Sequence, residues 1–233
     1  MTSGPRLGWH FLRNDGTTGT GSLRPVPGET LQHEGPLSVC HSGLHYCPHA
    51  LDALNYAPGS LVERVEPVGE VVMGTGLRSD KYVTSARRCL WIADATSTLY
   101  EFAYWCAERA LRAAGHEPDR RLLEAITAKR AWARGEITDE QLAAAVRAAE
   151  VVSEDARDIV WTAAESVAMI AARAAAWIVA KGRLRDIYWV AASMSNSEVA
   201  QYWECHYAWC IEREAQRQRL DEMLLALAPA SAR

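Results

Sequence analysis

The sequence has no surplus of basic residues: 25 lysines and arginines stand against 29 aspartates and glutamates, a formal charge of −4. Binding through nucleic-acid phosphates needs a cationic face, so general nucleic-acid binding is not expected. Long apolar runs are missing too. The most apolar helical stretch, Val167 to Ala180, is interrupted by Arg173 and is too short for the roughly 30 Å of a hydrocarbon core. The N-terminus, Met1 to Arg6, lacks the apolar centre of a signal peptide. The expectation is a cytoplasmic protein with no membrane partner, in which the six cysteines are reduced thiols rather than a disulfide framework. What is there, 49% hydrophobic and 23% charged residues, is the balance of a chain that buries a core.

Glycine and proline become scarce after residue 95. Twelve of 15 glycines and seven of nine prolines precede residue 96, whereas seven of nine tryptophans follow it. Glycine and proline interrupt helices and suit turns, so the first part is turn-rich and the second is free to be helical. The fold class expected is α+β: residues 1–94 form a small mixed, mostly antiparallel sheet domain with one helix, and residues 95–233 an all-α, Ala/Trp-rich part.

In the first part, Gly8–Leu12 reads as a strand ended by the turn signal Asn14-Asp15-Gly16. Thr17 to Gly28 reads as a Thr/Gly/Ser/Pro loop. A short strand lies within Cys40 to Cys47, and Pro48 opens a helix to about Tyr56, since a first helical turn does not use proline's missing N–H. Leu61–Glu66 alternates as a strand, and Gly69–Met73 continues or pairs with it. Tyr82-Val83 and Cys89–Ile92 complete the set. In the second part, Thr98–Glu101, Thr138–Gln141 and Ser195–Glu198 have the spacing of capping boxes, while Gly115, Gly135 and Gly182 fall where helices should stop. The stretch Val199 to Ile211 is apolar nearly all round, as in a helix buried on every face. This predicts a homo-oligomer assembled through the C-terminal helices.

The polar cluster of interest is Cys40-His41-Ser42-Gly43-Leu44-His45-Tyr46-Cys47-Pro48-His49. Its residue types are those of zinc ligands, but a structural site needs a second tight pair elsewhere, and none follows. No metal is therefore expected. Cys47, just before a helix, with His45 two residues away, admits a thiol-nucleophile reading, although no orienting carboxylate can be assigned and a buried core cysteine explains it as well. Gly16 to Gly21 lacks the lysine and following helix of a phosphate-binding loop. Lys81, after the Gly74-Thr75-Gly76 turn, either reaches an anionic ligand or is simply solvated. No catalytic set is evident, and no cofactor is implied.

The run from Glu29 to Ser85 resembles an uncharacterised domain family found widely in phages, prophages and actinobacterial proteins. The pattern carrying the resemblance is His33-Glu34-Gly35, then Cys40, Gly43, His45 and Cys47, the Leu51-Asp52-Ala53-Leu54-Asn55-Tyr56 helix, Val65 to Gly69, and Asp80, Lys81 and Ser85. It implies a mobile-element setting, in which small accessory proteins often act against host defences, but transfers no activity. A fainter likeness is to ADP-ribosyltransferase-type folds, which place a His, a Tyr or Ser and a late Glu around NAD. His10 and Tyr56 match two of these, with Glu63, Glu66 and Glu70 competing for the third. The leading expectation is a non-enzymatic accessory protein that binds a small nucleotide-like ligand or a host protein through His10, His45, Tyr56 and Lys81. The alternative is an NAD-using transferase.

Overall fold

A computed structural model describes residues 6–19, 23–74, 80–113, 120–155 and 203–232. Among them are seven strands: β1 (Gly8–Leu12), β2 (Thr30–Gln32), β3 (Leu44–Tyr46), β4 (Leu61–Pro67), β5 (Val71–Met73), β6 (Tyr82–Thr84) and β7 (Ala86–Asp94). The described helices are α1 (Ala50–Leu54), α2 (Thr96–Ala113), α3 (Arg120–Ala133), α4 (Asp139–Asp155) and α5 (Trp203–Leu225). The protein is thus α+β. The expected Ala-rich helix after Ser153 and the Ser195–Glu198 cap lie mostly or wholly outside the described residues, as do the side chains of Val199 to Ile211.

The strands form two antiparallel sheets, one ordered β1-β4-β7-β2 and the other β3-β6-β5. Val71–Met73 accordingly pairs with β6 and not with β4. β2 was not foreseen, because Thr30–Gln32 is short, half or fully exposed and too brief to show a period. One irregularity shapes the larger sheet. Arg64 pairs with Trp91 and Val65 with Cys89, so Leu90 is an extra residue bulged out of β7. Opposed residues share a face of a sheet, so without the bulge Cys89 and Arg87 would point away from Glu63. With it, His10, Glu63, Cys89 and Arg87 share one face. The opposite face carries Trp9, Arg64 and Trp91: the two indoles meet edge-on at 5.8 Å, and the guanidinium lies 4.3 Å from the Trp9 ring centre.

The chain divides into two compact units, Met1–Thr98 with Arg217–Arg233, and Leu99–Gln216. The end of α5 therefore packs with the sheets. There Asp221 supplies what α1 lacks: Oδ1 accepts from the Ala50 N–H at 2.8 Å and Oδ2 lies 3.0 Å from His49 Nδ1. Arg217 pairs with the buried Asp52 at 3.0 Å. The helix begins at Ala50 rather than Pro48, because its cap comes from a residue 171 positions away. Leu220 and Leu224 are buried along the same stretch.

Within the other unit, Arg130 of α3 pairs with Glu101 at 3.0 Å and with Glu108, and lies over the Tyr104 ring, tying α3 to α2. Gly135 ends α3 at φ +73°, with Gly135 N–H bonded to the Trp132 carbonyl and Glu136 N–H to that of Ala131. This is the paired closure that a left-handed glycine permits. Thr138 and Gln141 then bond reciprocally at 2.8 and 3.3 Å, the expected capping box of α4. The box read at Thr98 is displaced: α2 starts at Thr96, whose N–H and hydroxyl both donate to Asp94 Oδ1. No described helix is long and apolar enough to cross a membrane.

Candidate functional site

His10, His45, Tyr56 and Lys81 come from β1, β3, the turn after α1 and the approach to β6, and they line one cavity of about 170 Å³. Phe11, Thr18, Gly43, Leu44, Ala53 and Arg87 are among their neighbours there. Thr18 and Arg87 show what sequence reasoning missed. Thr18 is buried, and Arg87 is one of the most enclosed side chains described, 1% exposed. No local pattern marks Arg87, since its place depends on the bulge at Leu90.

Behind the cavity wall lies a buried charge network. Glu63 Oε2 accepts from Arg87 Nη2 at 3.0 Å and lies 3.0 Å from His10 Nδ1. Arg87 also donates through Nη1 to the His45 carbonyl, which joins β7 to β3. Burial alone would raise the Glu63 carboxyl, but Arg87 and His10 outweigh it and hold the group below the usual carboxylate range. The thiol of Cys89 is pushed up to about 12, first by burial and then by the Glu63 charge. The His10 imidazole is pushed down to about 4, mainly by burial, with Arg87 and Lys81 adding and Glu63 opposing. His10 is therefore neutral at ordinary pH.

The other three expected site residues hold different positions. His45 Nε2 accepts from the Cys40 N–H at 2.8 Å, which anchors a loop in which Cys40 has φ +70°. Burial, then Lys81 and His10, brings its imidazole down to about 4. Next to it, Gly43 has φ +109°, and a Cβ there would stand 2.3 Å from Val83 Cγ2. Only glycine fits. Tyr56 is exposed, and the Lys81 ammonium lies 3.9 Å from its ring centre and 3.8 Å from Cys40 Sγ. Lys81 has no carboxylate partner among the described residues.

The remaining polar cluster disperses. His41 bonds the Val39 carbonyl, His45 the Cys40 amide and His49 Asp221, so each imidazole serves a separate contact. Among the described residues no three His, Cys, Asp or Glu side chains gather as metal ligands. Cys47 is 3% exposed, and its thiol is pushed well above the ordinary range by burial, with Asp52 and Asp80 adding. A group so placed favours the protonated form, which lends no support to the thiol-nucleophile reading.

Residues 8–100 match the family model described as a domain of unknown function, DUF7666. No curated protein and no solved structure matches the chain. The DUF7666 match runs from β1 to the start of α2, and so contains Glu63 and every residue found to line the cavity. Asp221 and Arg217, which brace α1, lie outside it.

The cavity carries two cations, Lys81 and Arg87, and among the described residues no aspartate or glutamate lines it. Arg87 is balanced by Glu63, and both imidazoles are neutral. Among the described lining residues, Lys81 is thus the cation without a carboxylate in contact, and it lies over the exposed Tyr56 ring.

Proposed function

We propose that the sheet unit binds a small, nucleotide-like anion, with one planar ring inside the cavity and the anionic group at Lys81, and performs no chemistry on it. The observation that carries this reading is the convergence of His10, His45, Tyr56 and the Lys81 cation on one cavity whose described lining holds no aspartate or glutamate. Size narrows the class. A cavity of about 150 Å³ takes a benzene ring, whereas whole drug-sized ligands occupy about 300–1,000 Å³. At 170 Å³ a single ring enters, and a sugar or phosphate stays outside it. An accessory role in a mobile element is the setting we propose.

The NAD-using alternative draws on His10, His45 and Tyr56, which all line the cavity. Its glutamate is harder to supply. Glu63 is enclosed by His10 and Arg87, Glu66 pairs with Arg88 at 2.7 Å, and Glu70 is exposed. None of the three lines the cavity. The binding reading is preferred on that ground.

Calorimetric titration with nucleoside monophosphates tests it. At least one should bind, with affinity falling about tenfold or more in Lys81→Ala, the loss of about one charged hydrogen bond. Affinity unchanged in Lys81→Ala, or no binding by any of them, contradicts the reading. Label transferred from NAD to lysate protein, and lost in Tyr56→Ala, would favour the transferase instead.

A further inference from the structure

His10 has two ring nitrogens, and only one is engaged. Nδ1 lies 3.0 Å from Glu63 Oε2 and 3.3 Å from Arg87 Nη2. An ionised carboxylate can only accept and a guanidinium can only donate, so the two contacts demand opposite proton positions at Nδ1. The carboxylate contact is the shorter and charge-assisted, and Arg87 Nη2 already donates to the same Oε2. The proton therefore sits on Nδ1 and is donated to Glu63. In a neutral ring the other nitrogen, Nε2, then carries a lone pair. It makes no hydrogen bond among the described residues. Its edge of the ring is turned away from the enclosed Glu63; a fifth of the His10 side chain is accessible, and the residue lines the cavity.

We infer that the buried Glu63 fixes His10 as a hydrogen-bond acceptor in the cavity wall, so that the ligand is a small anion whose ring presents an N–H or O–H donor to Nε2 while its charge rests at Lys81. This rests on the binding reading above and specifies its ligand class. His45 cannot play the same part, because its Nε2 lone pair is taken by the Cys40 amide. Among the described residues lining the cavity, His10 Nε2 thus offers a ring acceptor from β1 and Lys81 a cation from the approach to β6, and a ligand offering an acceptor at the ring edge would set two lone pairs against each other at His10. Such mismatches against a built hydrogen-bonding site discriminate strongly.

The test uses two ring anions of nearly the same shape, pyrrole-2-carboxylate with a ring N–H and 2-furoate with a ring oxygen. Fragments this small reach about millimolar affinity, within range of ligand-observed NMR. Pyrrole-2-carboxylate should bind the intact chain about tenfold or more tightly than 2-furoate, the worth of one buried hydrogen bond against an unmet one. His10→Phe should abolish the preference. Equal binding of the two anions, or a preference for 2-furoate, overturns the donor requirement and leaves the cavity reading standing; binding of neither at millimolar concentration counts against the cavity reading itself. A second readout needs no ligand and no variant. The ¹⁵N-resolved imidazole spectrum of the chain should show His10 protonated at Nδ1 and bare at Nε2, and the reverse tautomer overturns the inference.

Discussion

Arg87 and Glu63 form the costliest pair in the sheet unit, each side chain 1% exposed. Taking two charges out of water is expensive, and their attraction returns that cost only while both are present. Arg87→Met should therefore destabilise the unit by about 3–5 kcal/mol, and Arg87→Met with Glu63→Leu by clearly less. Chemical unfolding of the two variants checks this; equal destabilisation would show that the ion pair is not the reason. The pair was not legible in the sequence. Glu63 and Arg87 are 24 positions apart, and alternation along Cys89–Ile92 gives no warning of the bulge that turns Arg87 inward. His10, His45, Tyr56 and Lys81 could be picked out because they are polar residue types within or beside short elements, and Thr18 could not, because its loop has no period.

The same residues set a pH dependence. His10 and His45 have folded values near 4 against about 6.5 in an open chain. Between those values the unfolded chain binds protons that the folded one does not, so stability falls as pH drops from about 6.5 to 4. Each ring contributes at most about 1.4 kcal/mol per pH unit, and less because both reach solvent. Urea midpoints measured across this window should decline and the decline should shrink in His45→Gln. A flat profile contradicts the burial of these imidazoles.

At the scale of elements, α1 is a five-residue helix with no cap of its own, held by the carboxylate of Asp221. The C-terminal stretch thereby braces the helix that carries Ala53 into the cavity lining. Asp221→Ala should cost about 1–2 kcal/mol, the worth of a cap, and speed hydrogen exchange at the Ala50 amide. Unchanged protection there would sink the idea. His49 works in the sense opposite to His10. Its hydrogen bond to Asp221 raises it, so its contribution is complete below about 6.5 and is lost as pH rises through the folded value. Local signals did mark β1, β4, the glycine stop of α3 and the cap of α4, each a pattern within a few residues. The division into two sheets and the capping of α1 by α5 are pairings between distant segments, which no local period records.

For the whole molecule, the change of composition near residue 95 marks a real change from strands to helices, since glycine and proline act locally on backbone shape. It does not reveal that residues 217–233 return to the sheet unit. That return depends on Asp221, Arg217 and buried Leu220 and Leu224 meeting α1 and its surroundings. A sheet unit assembled from two separated stretches of the chain is the result. The ligand proposed for it is a small anion that enters the cavity lined by β1, β3 and Lys81. The most direct test is backbone and side-chain NMR of the intact chain, titrated with the nucleoside monophosphate that binds best. Shifts should concentrate at His10, His45, Tyr56 and Lys81, with the indole of Trp132 unmoved. Shifts confined to other residues, with those four unchanged at saturation, would contradict the account.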